Sequence, residues 1–114
     1  MKIIIIKKDT LLYDEFKFKC SIGKNGRTTN KIEGDNKTPK GLYALGPLYF
    51  RKDRVSKIST KLRKIEIKKN FGWCDDINSK FYNKFIKFPF KGSAEKLHIK
   101  ENIYDIIVVI NYNL

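Results

Sequence analysis

Residues 106–110 read Ile-Ile-Val-Val-Ile. Five β-branched side chains in succession are stiff at χ1 and crowd the turns of a helix, but they fit the pleat of a strand. No polar residue alternates with them, so both faces of the strand are apolar. Such a run is expected inside a sheet, with a neighbour on each side and cover on each face. The sequence ends four residues later, at Leu114. The closing segment, Tyr104 to Ile110, is thus expected to be a strand built for two neighbours in a chain that carries one of them.

The preceding residues add strands and no helix of ordinary length. Lys2 to Lys7 holds four consecutive isoleucines and predicts a buried strand. Asp9-Thr10 turns the chain, and Leu12 to Ile22 then alternates, with Phe16, Phe18 and Cys20 on one face and Lys17, Lys19 and Ser21 on the other. That pattern predicts a half-buried strand forming a hairpin with the first, and it places Phe16, Phe18 and Cys20 in the core. Tyr49 and Phe50 lead into the charged turn Arg51–Arg54, and Leu62, Ile65 and Ile67 mark another short strand. Pro89 interrupts the apolar run Phe85 to Phe90, which suits an edge strand or a loop lying across the core. Ser93 to Lys100 is expected to form one helical turn capped by Ser93. The fold class expected is mainly β, a sandwich or open barrel of short strands and long loops.

A chain of 114 residues makes one domain at most, and 41% hydrophobic with 13% aromatic residues separates it from disordered sequences. The formal charge of +13 invites a polyanion such as nucleic acid, anionic lipid or an acidic wall polymer. All but four of the 25 basic residues are lysine, however, and Ile and Asn are abundant beside them. This is general residue bias rather than the arginine-led pattern of DNA readers, so nucleic acid is not the expected partner. Cys20 and Cys74 match no zinc or CxxC spacing and His98 is the sole histidine, so no metal or other cofactor is expected. Ile3 to Ile6 is too short for an export signal or a membrane span. The location expected for the chain as written is the cytoplasm.

Two stretches carry unusual chemistry. Glu33 to Gly46, EGDNKTPKGLYALG, begins as a turn at Gly34-Asp35-Asn36. Pro39 then fixes its own φ and extends Thr38, after which Leu42 to Leu45 begins a strand-like run between Gly41 and Gly46. Such a turn feeding a buried strand suits the wall of a binding cleft, or a hairpin-like connection with no chemistry. Before it, the GxxG of the Gly23–Asn36 loop lacks the Lys-Ser/Thr and the helix of a phosphate loop. The second stretch, Phe71 to Asn83, joins Trp73, Cys74, Asp75 and Asp76. Cys74 is there either a nucleophile with His98 as its base, or it packs inward with Trp73 while the carboxylates cap turns or pair with lysines. A hard-metal site at Asp75 and Asp76 lacks further oxygen ligands.

Several stretches recur in a familiar order: Lys24 to Gly26; Glu33-Gly34-Asp35 with Thr38-Pro39-x-Gly41; Gly72-Trp73-Cys74-Asp75-Asp76; Tyr82-Asn83; Ser93-Ala94-Glu95-x-Leu97; and Tyr104-Asp105 with the aliphatic strand to Tyr112-Asn113. The set resembles a compact branch of the L,D-transpeptidase (YkuD-like) catalytic-domain family, over about Gly23 to Leu114. The resemblance implies one partial domain over residues 1–114, an incomplete β-sandwich or open barrel with an N-terminal hairpin at 1–22. It also implies acyl transfer in peptidoglycan cross-linking. A cysteine thiolate attacks a stem-peptide amide beside a D-amino acid, and an amine from a second stem resolves the thioester.

In that family the nucleophile and its histidine follow the aliphatic strand, in a Gly-Ser-Ala-type strand ending in His and a Ser/Thr-x-Gly-Cys loop. Neither occurs in this sequence. No catalytic residue carries over, and His98 stands where the family tends to place an aromatic. What carries over is scaffold and cleft wall: Asp35, Thr38, Pro39 and Gly41, then Trp73, Asp75, Asp76, Tyr82 and Asn83. The implied partners are a peptidoglycan stem peptide and a separately encoded C-terminal half, with the cell envelope as the place of work. The chain alone is expected to be inactive. Two other readings compete: a small basic β domain binding nucleic acid or another polyanion, and an autonomous cysteine enzyme using Cys74 and His98.

Overall fold

A computed structural model of the chain describes residues 3–29, 31 and 37–112. Every regular element among them is a strand, and the strands form four small sheets, none closed into a barrel. The chain divides into two compact units, Met1–Leu42 and Tyr43–Leu114.

In the first unit, β1 (Ile4–Lys7), β2 (Thr10–Tyr13) and β3 (Phe16–Lys19) form an antiparallel meander. The strand expected over Leu12 to Ile22 is therefore two elements. Asp14 adopts φ 56° and makes a tight turn with Glu15, as Lys8 at φ 47° does before β2. With no glycine in Tyr-Asp-Glu-Phe, the turn is hidden inside the alternation. Register puts Ile6, Leu11 and Phe18 in one cross-strand row and Ile4, Tyr13 and Phe16 in the next. The expected burial of β1, Phe16 and Phe18 does not occur: β1 is exposed along its length, and Phe16 and Phe18 are 54% and 55% exposed. Cys20 is only half-buried. β-branched runs and alternation report fit to a pleat, not cover. These side chains are neighbours on the sheet surface instead, with the Phe16 and Phe18 rings stacked along β3 at 6.2 Å. Two short strands, β4 (Arg27–Thr28) and β5 (Thr38–Pro39), pair in parallel.

The second unit contains β6 (Leu45–Phe50), β7 (Lys64–Glu66), β8 (Phe71–Cys74), β9 (Phe85–Lys87), β10 (Ala94–Lys96) and β11 (Ile106–Ile110). One sheet has the order β11-β6-β7, with β11 antiparallel and β7 parallel to β6; the other has the order β10-β8-β9, all antiparallel. Its core is Tyr49, Ile67, Phe71 and Leu97, with Ile65, Trp73, Phe85, Tyr104, Ile107 and Val109 packed around them. Both sheets contribute. The Phe85 ring stacks on Tyr49 at 5.7 Å and meets Phe71 edge-on at 4.7 Å, while Trp73 meets Tyr49 edge-on at 6.1 Å.

Two further expectations are corrected here. The run expected from Leu42 begins as a strand only at Leu45, and Leu42 is 84% exposed. The β6–β11 ladder closes where the Asn111 N–H donates to the Ala44 carbonyl at 3.0 Å, so the strand does not extend back to Leu42. The segment Ser93–Lys100 contains β10 rather than a helical turn. The Asp75 N–H donates to the Ser93 carbonyl and the Leu97 N–H to Phe71, at 3.3 and 3.1 Å, laying the segment along β8. So short a segment gains more from ladder bonds than from a marginal helix.

The aliphatic strand β11 pairs with β6 and, among the described residues, with nothing on its other side. Ile107 and Val109 point into the core, while Ile106, Val108 and Ile110 are exposed. Cover on both faces, expected from the unbroken aliphatic run, is therefore incomplete: one face is packed, and on the other Ile106, Val108 and Ile110 are exposed although Leu48, across from Val108, is buried. Two β6 residues, Gly46 and Pro47, lie opposite Val109, a bulge that accommodates the missing proline N–H.

Candidate functional site

The residues singled out by the resemblance fall in both units. In the first, Thr38 is the organising side chain. Its Oγ1 accepts the Gly23 N–H at 2.6 Å, and its own N–H donates to the Gly26 carbonyl at 2.8 Å. Gly26, at φ 88°, accommodates the left-handed step in that turn. Pro39 completes β5, and the Lys40 N–H beyond it donates to the Thr28 carbonyl at 2.6 Å. Thr38-Pro39 thus holds the Lys24–Gly26 turn in place, with Gly41 closing the segment. Asp35 lies outside the described residues.

In the second unit, the Trp73 indole N–H donates to Asn83 Oδ1 at 3.0 Å. Asn83 takes the left-handed conformation, φ 59°, and its backbone N–H donates to the Cys74 carbonyl at 2.9 Å. Asparagine is among the few residues that adopt this backbone at little cost, so Asn83 is fitted to turn the chain from the 75–82 loop into β9. Within that loop, Asp76 Oδ1 accepts the Asn78 N–H at 3.0 Å, and its carbonyl accepts that of Ser79 at 3.0 Å. The Tyr82 N–H donates to the Ser79 carbonyl at 3.0 Å. Of the readings weighed for this stretch, the geometry matches the one in which Trp73 and Cys74 pack inward and a carboxylate caps a turn.

Asp75 is exposed at the end of β8, and its charge reaches Tyr104. The Tyr104 hydroxyl donates to Glu95 Oε2 at 2.7 Å. Partial burial, the hydrogen bond to Glu95 and the nearby Glu95 and Asp75 charges push the phenol up to about 12. Glu95 is paired with Trp73 across the ladder. Asp75, Glu95 and Tyr104 thus group acidic and phenolic side chains beside the Trp73–Asn83 pair, in a protein of net charge +13.

Cys74 is not placed for thiol chemistry. It is fully buried. Leu97 bonds to Phe71 at the far end of β8, so His98 follows beyond the end of the ladder opposite to Cys74. His98 instead lies near Asp53, whose carboxyl it helps to keep acidic. Among the described residues, no group of three or more His, Cys, Asp or Glu could hold a metal ion, and no helix is long and apolar enough to cross a membrane.

A second polar assembly is harder to see in the sequence. Arg51, 4% exposed, grips Asp53 through Nε and Nη2 at 2.9 and 2.8 Å, and donates from Nη1 to the Ile99 carbonyl at 2.7 Å. Arg54 donates to the Lys100 and Glu101 carbonyls and to Asp105 Oδ1, at 2.7, 2.8 and 2.9 Å. The Arg51 hydrogen bonds hold the Asp53 carboxyl down at about 2. Together the two arginines clasp the 99–105 segment that leads into β11. The sequence signal was the Arg-x-x-Arg of the charged turn, and its carbonyl partners are invisible to composition.

No family model, curated protein or solved structure matches this chain.

Proposed function

We propose that this chain is scaffold and cleft wall of an L,D-transpeptidase-like domain that works on peptidoglycan stem peptides, and that it performs no acyl transfer alone. One observation carries the reading: separate stretches, grouped by resemblance and ten to fifteen residues apart, are hydrogen-bonded to each other. Trp73 of the Gly72–Asp76 motif is tied to Asn83 of Tyr82-Asn83, and Thr38 is tied to the Gly23–Gly26 turn. The open side of β11 supports the second half of the proposal, since a strand bearing the histidine of that family has a place to pair there.

Acyl transfer requires an accessible thiol with an imidazole in reach. Cys74 has neither solvent access nor His98 beside it. The role left to this chain is to bind and orient the stem peptide, with Trp73, Asp75 and Asn83 at the cleft wall. The test is to titrate a tetrapeptide stem into the labelled chain and follow the Trp73 indole and the backbone amides of 73–83, with intact-mass analysis in parallel. The expected result is saturable movement of those resonances and no added acyl mass. Unmoved resonances at millimolar peptide overturn the cleft assignment, and an acyl adduct on Cys74 overturns the claim of inactivity.

A further inference from the structure

We propose that the open edge of β11 is the seam of a two-fold homodimer. This goes beyond the transpeptidase reading and concerns the chain by itself: the second copy takes the edge at which a separately encoded strand would pair in an assembled domain, so the two occupants exclude each other.

The Arg51 N–H donates to the Asp105 carbonyl at 2.9 Å, and the Asn111 N–H donates to the Ala44 carbonyl at 3.0 Å. At both ends, odd-numbered residues of β11 and its flanks direct their main-chain groups to β6. By the alternation of an antiparallel ladder, Ile106, Val108 and Ile110 direct theirs away from it. The bulge at Gly46-Pro47 lies in β6, so β11 itself keeps this alternation throughout.

A row of outward groups on alternate residues can pair with itself. An antiparallel copy related by a two-fold axis at Val108 sets Val108 opposite Val108 of the second copy, and Ile106 opposite Ile110. All of these are residues with outward groups. Each hydrogen-bonded pair exchanges two N–H···O bonds; the Ile110 carbonyl already accepts the Tyr112 N–H at 3.0 Å, so the seam holds about four bonds besides the two that would share that carbonyl. The side chains agree with the backbone. Ile106, Val108 and Ile110 are 47%, 37% and 46% exposed, and a second copy brings the same three against them as cross-strand neighbours. No charge lies within β11. At its flanks the two-fold sets Asp105, already paired with Arg54 at 2.9 Å, opposite an uncharged Asn111. The seam therefore meets no like-charge contact despite the +13 of each chain.

Growth along this sheet stops at two copies. The other edge of the same sheet, β7, is three residues long and places Lys64 and Glu66 around Ile65, the short charged edge that resists pairing. An isologous seam used once closes on itself.

The experiment is light scattering and sedimentation of the full chain across a range of concentration, beside Val108→Lys and Val108→Pro. Lysine puts two like charges face to face at the axis. Proline removes an N–H that β6 does not use, a substitution edge strands accept. The expected result is a particle of twice the 13.4 kDa chain mass that dissociates on dilution, with both variants monomeric at concentrations where the parent is paired. A parent that stays monomeric overturns the proposal. So does a dimer that survives both substitutions, or an assembly that keeps growing with concentration. Should either variant fail to fold, contacts between labelled and unlabelled Val108 side chains in a mixed sample of the parent decide the matter: their presence supports the seam and their absence refutes it.

Discussion

Leu97→Ala is expected to lower the unfolding free energy of the Tyr43–Leu114 unit by about 2–5 kcal/mol. Leu97 is 2% exposed and sits in the central cluster with Tyr49, Ile67 and Phe71. Its backbone N–H is committed to the Phe71 carbonyl at 3.1 Å, so the main chain cannot sink into the space that the lost side chain vacates. Removal of three buried carbons therefore adds an unfilled cavity to the lost transfer energy, and the upper half of the range is favoured. Urea unfolding followed by Trp73 fluorescence reads the effect directly. Trp73 is the sole tryptophan and packs on the same cluster. A lower midpoint with an unchanged slope is the expected signature. A loss of less than about 1 kcal/mol would mean that Leu97 is not a core residue, since that is below the range for a buried leucine.

Gly72→Ala has the second largest expected effect, with the opposite cause. A methyl group there would stand 2.5 and 2.9 Å from the Phe88 ring and 2.8 Å from Ile86 Cδ1. Gly72 is itself buried at the centre of β8, paired with Ile86 and Lys96, so it cannot retreat without breaking two ladders. Overpacking of this kind costs about 1–3 kcal/mol. The double variant with Phe88→Leu separates steric conflict from any other cause. If the ring is the obstacle, the two changes together cost less than their sum, which a double-mutant cycle measures. Strict additivity would place the damage elsewhere. The glycine that opens the Gly-Trp-Cys-Asp-Asp motif is thus explained by the Phe88 and Ile86 side chains lying against its backbone.

The sequence was most legible where side-chain shape and backbone demand coincide. The aliphatic run became β11, the proline-broken run became the edge strand β9, and Trp73 and Cys74 pack inward while Asp76 caps a turn. It was least legible where a turn carries no glycine, as at Asp14-Glu15, and where a strand's apolar face has no cover, as at Phe16 and Phe18. The Ser93–Lys100 stretch was misread because local capping chemistry was weighed without the ladder offered by β8. The Arg51 and Arg54 clasp was missed for a related reason. Half of its acceptors are backbone carbonyls of the 99–101 segment, and every residue has a carbonyl. The resemblance grouped Trp73 with Asn83 and Thr38 with the Gly26 turn in order only; the bonds that join them belong to the fold.

The account turns on β11 having β6 on one side and, among the described residues, no paired strand on the other. Residue-resolved amide hydrogen exchange, measured on monomeric Val108→Lys, tests this most directly. The account predicts slow exchange at Ile107, Val109 and Asn111 and fast exchange at Ile106, position 108 and Ile110, alternating along the strand. Uniformly slow exchange from 106 to 111 in that monomer would reveal a second strand of the same chain on the far side, and would contradict both the open edge and what is built on it.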